Sequence, residues 1–446
     1  MRSRSSGGIR LPPWLKRETV APGLYSYRGR DQFKRMALQL RIEPDGKGVL
    51  AINANTVLYL NETAAAHAYY FMLGMRTEEA IKQIRGRYRV DKETATKDHE
   101  KLIYAVSTLA QTEEVCPISY LGVDRVEPFT QELSAPLRMD LALTFRCQNG
   151  CLHCYTGGPH ETEEMDTDSW RRVLDRMKSL GIFIATFTGG EPTLREDLPK
   201  LVGHAQKLGI VTGLVTNGRK LKDRELVLVL ERSGLDFAQV TLESSDPAIH
   251  DQMTGSQGSW KETIEGIRNL IPTTIYTTTN TTLTRLNASD SLETLDLIHS
   301  MGIKAFGCNG LIHSGRGPAF AKEYGLEPDE LKGLLPRIQE RASQLGMRFL
   351  WYTPTRYCEL DPVSIGLGVK SCTACGMNMC IGPAGDVYPC QSYFESLGKL
   401  LTTDWHTIWN HPRAKQLRER KYAPEDCDMC PELSVCGAGC PLELQD

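Results

Sequence analysis

The sequence predicts an α/β protein: a partial (β/α)6 barrel, preceded by a small winged-helix-like α+β domain and followed by a cysteine-rich domain. Three observations carry that expectation. Between about residues 136 and 346, short apolar runs of strand length alternate with longer amphipathic runs, an order that implies parallel strands joined by helical crossovers. Ahead of them, short apolar alternations are followed by three stretches with helix start signals. Behind them, nine of the fourteen cysteines crowd between Cys358 and Cys440.

Residues 1–27 start basic, with no apolar run behind them, and are expected to be flexible. The runs 36–42, 48–52 and 57–60, separated by Glu43-Pro-Asp-Gly-Lys-Gly and Asn53-Ala-Asn, predict a small antiparallel sheet. Helices are expected over 61–75, 77–88 and 91–111, each opened by a residue that can cap it: Asn61, Thr77 and Asp91. Sheet and helices together make the winged-helix-like domain, 28–115, and a linker over 116–135 follows. A structural cap or a DNA reader would share this outline, but the segment lacks the basic recognition helix that a groove reader needs.

In the barrel, 136–350, strands are expected at 138–144, 183–188, 211–216, 237–242, 275–283 and 304–308. Helices fall near 168–180, 197–208, 222–233, 259–270, 289–301 and 328–345. In TIM-like barrels chemistry gathers at the C-terminal ends of the strands. Cys147, Cys151 and Cys154 follow the first predicted strand and Thr188-Gly-Gly-Glu-Pro192 the second, so both are expected on one rim.

The spacing Cys147-x3-Cys151-x2-Cys154 can hold three irons of a four-iron cluster and leave the fourth open, because a fully ligated cluster needs four thiolates. A zinc site or a group of buried thiols would use the same residues. With His153 as the ring before the last cysteine, the pattern resembles the signature of the radical S-adenosylmethionine (SAM) enzymes. The resemblance implies a [4Fe-4S] cluster whose open iron is chelated by SAM, and reductive cleavage of SAM to a 5'-deoxyadenosyl radical. Gly189-Gly190-Glu191-Pro192 is similar to that family's turn for the SAM amino group, where bare backbone carbonyls meet a positive nitrogen. Thr216-Asn217, Glu243-Ser244, Asn280 and Thr282, at the ends of later strands, are the further SAM contacts it implies, each with an ordinary turn-forming reading beside it. Relatives often place an arginine shortly after a His-Asp pair; here His250-Asp251 leads to Thr254. The residues do not single out a catalytic acid or base. His313, Arg316, Tyr352 and Tyr357 are candidates to line a cavity.

The C-terminal run Cys427-x2-Cys430-x5-Cys436-x3-Cys440, preceded by Gly385-Asp-Val-Tyr-Pro-Cys390, resembles the SPASM extension of the same enzymes. The resemblance implies one or two auxiliary [4Fe-4S] clusters, the first on Cys372, Cys375, Cys390 and Cys440 and the second on Cys427, Cys430 and Cys436. No cysteine follows Cys440 to complete the second set, so its fourth bond is expected from Cys358 or Cys380, from another kind of ligand, or not at all. Cys380, in an alternating apolar stretch, also reads as a small buried residue, and Cys116 and Cys308 read as packing.

The small sheet followed by three helices, with Ala51-Ile-Asn-Ala-Asn-Thr-Val-Leu-Tyr-Leu-Asn61 at its heart, is similar to the small peptide chaperone of pyrroloquinoline quinone synthesis, whose sheet edge takes up a leader peptide as an extra strand. With the cysteine motifs, it implies an enzyme that oxidatively modifies a ribosomally made precursor peptide, for example by a thioether or carbon–carbon crosslink. Flavodoxin or ferredoxin would be the electron donor. A radical SAM enzyme acting on a small molecule or tetrapyrrole is the alternative, and a metal-binding transcription regulator the alternative from another class. The 52 basic and 55 acidic residues leave a net charge of -3, which gives no electrostatic reason to expect nucleic acid or an anionic membrane as partner. The absence of a signal segment and the abundance of cysteine suit a cytoplasmic protein whose thiols stay reduced.

Overall fold

The computed structural model of the chain describes residues 20–29, 36–53, 56–111 and 133–444. Cys116, most of the expected linker and residues 1–19 lie outside them. The chain forms two compact units, Met1–Arg125 and Val126–Asp446.

The first unit opens with four antiparallel strands in chain order: β1 (Gly23–Arg28), β2 (Ala37–Ile42), β3 (Gly48–Ile52) and β4 (Thr56–Leu60). Three of these match the predicted alternations; β1 falls largely in the stretch expected to be flexible. Its Gly-Leu-Tyr-Ser-Tyr-Arg alternates weakly, and pairing with β2 from Gly23↔Ile42 to Arg28↔Ala37 orders it. Leu38, Leu40, Ile42, Leu50 and Ile52 bury one face of the sheet against helices Glu62–Met72, Thr77–Arg87 and Lys92–Gln111. Asn61 caps the first helix by accepting from the Ala64 N–H. Arg41 and Glu43 form a buried ion pair at 2.7 Å, near the end of β2.

Two of these helices are also joined by a buried histidine pair, His67 and His99, whose Nδ1 atoms stand 3.1 Å apart, so one ring donates and the other accepts. Burial, then the charge of His99, pushes His67 down to about 4.

The second unit is built on one nine-stranded sheet. β5 (Arg138–Thr144), β6 (Ile184–Gly189), β7 (Val211–Thr216), β8 (Phe237–Thr241), β9 (Tyr276–Thr282), β10 (Ala305–Asn309) and β11 (Arg348–Trp351) run parallel in chain order. The first six sit within a residue or two of their predicted bounds. β12 (Asn378–Ile381) comes from the cysteine-rich segment and adds parallel to β5, with β13 (Val387–Tyr388) antiparallel beside it. That segment, expected as a domain of its own, therefore shares a sheet with the seven parallel strands β5 to β11. Met139, Leu141 and Leu143 of β5, Phe187 of β6, Leu214 of β7 and Val240 of β8 are fully buried in the main core with side chains from the helices, such as Trp170 and Val173 of helix Thr167–Ser179. At such burial each side chain contributes about 1.5–3 kcal/mol. Strand alternation puts Asp140, Thr188, Gln239, Thr278, Asn280 and Asn309 on the other face. A polar face inside a parallel sheet is a place for a ligand rather than for a core.

The histidine pair makes the first unit sensitive to acid. The folded-state value of His67 lies below its unfolded value of 6.5, so the stabilisation is complete above about 6.5 and is lost as pH falls toward about 4. Amide exchange of helix Glu62–Met72 in the full chain, corrected for intrinsic rates, is expected to show a loss of about 2 kcal/mol of protection between neutral pH and pH 4.5. His67→Leu is expected to flatten that dependence.

Candidate functional site

The sheet delivers the predicted motifs to one edge. Directly after β5, Cys147, Cys151 and Cys154 lie on a single loop, close enough that both Cys147 and Cys154 raise the thiol of Cys151, after burial and Glu243. The end of helix Pro247–Thr254 fixes this loop from one side: the N–H groups of Gly150 and Leu152 donate to the carbonyls of Thr254 (2.9 Å) and Met253 (3.0 Å). Those are carbonyls that a helix terminus otherwise leaves unpaired. Arg316 fixes it from the other side. Its Nη1 donates to the carbonyls of Gly150 and Cys151 at 3.1 Å each, its Nε to Gly157, and its backbone N–H to Cys154. Sequence reading placed Arg316 only as a cavity candidate; Gly315 and Gly317 beside it were the available signal of close backbone approach.

The Gly189-Gly190 turn after β6 runs against the start of the same loop. A Cβ on Gly189 would stand 2.2 Å from the Thr144 carbonyl oxygen, and one on Gly190 2.3 Å from that of Arg146. Gly189 also adopts φ +124°, which L side chains rarely adopt. Glu191, with no exposed surface, spends its carboxylate on the turns after β6 and β7. It accepts from the N–H and hydroxyl of Thr193 (3.1 and 2.6 Å), the Thr216 hydroxyl (2.7 Å) and the Asn217 N–H (2.8 Å). Pro192 is buried at the start of the short 3-10 turn that follows.

Through Glu191 the turn after β7 is set, and Asn217 then reaches back to the cysteines: its Nδ2 lies 3.7 Å from Cys147 Sγ, which also accepts the Asn149 N–H at 3.4 Å. Burial pushes Cys147 up to about 11 against that N–H. His153 Nε2 stands 3.1 Å from the Glu243 carboxylate, whose other oxygen accepts the Thr282 N–H at 2.8 Å. Ser244 is buried and bonded to Asp290. Asn280 donates to Asn309 at 2.6 Å. Of the predicted cofactor residues, the side chains of His153, Glu191, Thr216, Asn217, Glu243, Ser244 and Asn280 are thus engaged with protein groups. Tyr155, which the sequence did not single out, donates to the Gly189 carbonyl at 3.2 Å. Thr254, at the point where relatives carry arginine, shares its hydroxyl with Ser259.

Among the described residues no group of ligands is disposed around a single metal ion. A four-iron cluster spreads its thiolates more widely than one ion does, and the loop suits the larger group. Three partly buried thiols converge there with N–H donors aimed at Cys147, while Gln148 Oε1, His153 Nδ1 and Asn280 Oδ1 are buried without a hydrogen-bond partner. Unpaired polar atoms beside free thiols fit a cluster and a polar ligand.

The C-terminal cysteines fall into two groups. Cys372, Cys375, Cys390 and Cys440 are mutual neighbours: Cys372 feels Cys440, Cys375 feels Cys390 and Cys372, and Cys440 feels Cys390. Burial is the leading cause of each shift, pushing Cys372, Cys390 and Cys440 up to about 12. Cys427, Cys430 and Cys436 gather separately, with Cys358 nearby. The two groups divide between Cys436 and Cys440 because Gly437, Ala438 and Gly439 are all left-handed, at φ +67°, +58° and +76°. The Tyr422 hydroxyl holds that bend by donating to the Gly437 carbonyl at 2.6 Å. Cys380 belongs to neither group by position: it is buried on β12 with Ala142, Phe145 and Tyr388. Cys308 is buried in the main core.

Residues 141–312 match the radical SAM superfamily and residues 372–431 match SPASM, an iron-sulfur cluster-binding domain. A PqqA peptide cyclase of Xanthomonas axonopodis pv. citri is 29% identical over 318 residues, 68% of this chain and 82% of that protein. A PqqA peptide cyclase of Streptomyces rochei is 28% identical, over 69% of this chain and 85% of that protein. Among solved structures, Streptococcus suis SuiB bound to its precursor peptide SuiA superposes with a TM-score of 0.66, at 17% identity over 94% of this chain and 96% of that one. Native anSMEcpe with bound AdoMet superposes at 0.55, with 18% identity over 68% of this chain and 89% of that one. These structural likenesses establish an α/β fold with a parallel sheet.

Glu191→Ala would leave four donors without their acceptor in a dry site. It is expected to destabilise the second unit by about 3 kcal/mol and to free the Asn217 turn. Urea unfolding of the variant and the parent, followed by tryptophan fluorescence, checks it.

Proposed function

We propose that this chain, an enzyme carrying a radical SAM domain and a SPASM cluster-binding domain, oxidatively modifies a ribosomally made precursor peptide by a crosslink or a related C–H functionalisation. The convergence of Cys147, Cys151 and Cys154 on one loop, wedged against the Gly189-Gly190 turn, carries the reading of the site. The similarity to proteins named PqqA peptide cyclase, and the SuiB fold seen with a precursor peptide, support a peptide over a small molecule or tetrapyrrole as substrate. When bound, a [4Fe-4S] cluster and SAM supply a 5'-deoxyadenosyl radical able to take hydrogen from an unactivated carbon.

The residues of the chain divide the remaining work. Cys147, Cys151 and Cys154 hold the cluster, Asn217 and the Asn149 N–H steady the Cys147 thiolate, and Glu243 orients His153 at the loop. The backbone of Gly189 and Gly190 receives the SAM amino group, while Pro192, Thr216, Asn280 and Thr282 shape the wall beside it. Cys372, Cys375, Cys390 and Cys440 would hold an auxiliary cluster, which would supply an electron acceptor for an oxidative bond formation. The polar sheet face with Asp140, Gln239 and Asn280 receives the peptide segment, as the inside of a partial barrel would. Burial raises the Asp140 carboxyl, against the pull of Arg138.

Residues 28–115 act as the leader-binding, winged-helix-like domain. β4 lies at an edge of its sheet, and among the described residues no strand covers its outer side. An extended leader adding there would gain main-chain hydrogen bonds, with the half-buried Val57 and Tyr59 offering side-chain pockets. A small flavin or iron–sulfur protein of a reducing cytoplasm serves as electron donor. Among the described residues no helix is long and apolar enough to cross a membrane.

The reading is tested by anaerobic reconstitution with iron and sulfide, followed by SAM and dithionite. The parent protein is expected to release 5'-deoxyadenosine, and Cys147→Ala to reduce that release to background. In parallel, a synthetic leader from a short open reading frame beside the gene is expected to bind the parent chain with a Kd of about 1 μM or tighter. Zinc without iron in the reconstituted protein would overturn the reading.

A further inference from the structure

We infer that Cys358 is the fourth thiolate of the site formed by Cys427, Cys430 and Cys436, reaching it from upstream in the chain. The inference rests on the radical SAM and SPASM reading for the nature of the cluster, while the choice of ligand rests on the fold. Three cysteines leave one iron of a four-iron cluster unligated, and a fourth donor within reach would close it.

The chain after β11 brings one there. Residues 356–360 make a tight turn in which the N–H groups of Glu359 and Leu360 both donate to the Arg356 carbonyl, at 3.0 and 2.9 Å. Cys436 is seated against this turn: its Sγ accepts the Tyr357 N–H at 3.3 Å and lies 3.7 Å from the Thr355 carbonyl oxygen. Cys358 is the next residue along, so its backbone stands within one residue of a group that touches Cys436. The turn is anchored on both flanks. The Tyr357 hydroxyl accepts the Lys370 N–H at 3.1 Å, and Leu360 is buried in the main core. Between these anchors the Cys358 side chain is exposed, on the side where Cys427 feels the charges of Cys358, Cys430 and Cys436.

The other candidates are used elsewhere. Cys380 pairs with Asp140 across β12 and β5 and with Tyr388 on β13, and its charged neighbours are Asp140 of the sheet and then Cys390 of the first group, not the cysteines of the second. Cys308 is enclosed in the core beneath β10. Ligation by Cys358 would tie the turn after β11 to the last turns of the SPASM segment, a link between elements about 70 residues apart in sequence that no disulfide among the described residues provides. The site would also lie at the surface, with Cys358 and Cys430 exposed, whereas no cysteine of the first group is exposed.

The test uses the full chain, reconstituted anaerobically, as parent, Cys358→Ala and Cys380→Ala. Iron and acid-labile sulfide are counted, Mössbauer and EPR spectra recorded, and circular dichroism confirms folding. Cys358→Ala is expected to lose one cluster's iron, about four atoms per chain, or to convert that cluster to a three-iron form with its own EPR signal. Cys380→Ala is expected to match the parent. A second measurement needs no variant: iodoacetamide should spare Cys358 in the reconstituted protein and alkylate it once iron is stripped. Parental iron and spectra in Cys358→Ala, or equal alkylation before and after stripping, would overturn the assignment and leave the enzyme reading standing. A parent that takes up no iron–sulfur cluster would overturn both.

Discussion

The second unit depends on a close approach of two backbones. The loop that leaves β5 and the turn that leaves β6 run so near each other that Gly189 and Gly190 have no room for a Cβ, and the Gly190 and Glu191 N–H groups donate to the carbonyls of Thr144 and Arg146 at 2.7 and 2.9 Å. Because the cysteine loop begins at Arg146, its position is fixed by the sheet rather than by its own sequence. Glu191 carries the constraint one strand further by gathering donors from its own turn and from the turn after β7. The Asn217 side chain then returns to Cys147. Three strand ends are thus locked around one thiol before any ligand arrives, which is the preorganisation a reactive site requires.

A second constraint concerns the faces of the sheet. Parallel strands are usually apolar on both faces because helices cover both. Here one face meets that rule through Met139, Leu141, Phe187 and Leu214, while the other presents carboxylate, amide and hydroxyl groups. Some satisfy one another, as Asn280 does with Asn309 and Asp140 with Arg138. Others, such as Asn280 Oδ1, stay unpaired although buried. Leaving polar groups dry costs about 1–3 kcal/mol each, a cost that a polar substrate placed against them offsets.

The sequence made the strands and the cysteines legible because each obeys a short-range rule. Strand alternation has period two, and thiolates that share a cluster must be spaced to reach it, so the six βα strands and the loop on Cys147, Cys151 and Cys154 could be read residue by residue. The partners that position them are long-range. Glu191 looked like a cofactor contact because it follows two glycines, yet its acceptors are saturated by Thr193, Thr216 and Asn217, the last two 25 and 26 residues away. Glu243 and Ser244 are engaged by His153 and Asp290 in the same way. Arg316 reaches a loop about 160 residues upstream, a distance at which spacing carries no signal. β12 escaped notice because four residues of a cysteine-rich segment resemble a buried run as much as a strand, and only pairing with β5 distinguishes them.

The same long-range logic explains how cysteines close in sequence can serve different groups. Cys436 and Cys440 are separated by three residues, a spacing that on a helix would bring both to one face. The helix stops at Cys436, and three successive left-handed residues reverse the chain before Cys440. Two of the three are glycine; Ala438 takes the strain that a Cβ meets in that region. Cys375, also left-handed at φ +57°, shows a comparable distortion in the other group, where its N–H lies 3.0 Å from the Asn378 carbonyl and 3.1 Å from that of Pro389. Backbone strain at Ala438 and Cys375 is tolerated because the surrounding contacts over-determine it. The direction of each thiol is therefore set by backbone conformation, and the segment gains its specificity for two separate groups from where the chain bends rather than from how many cysteines it carries.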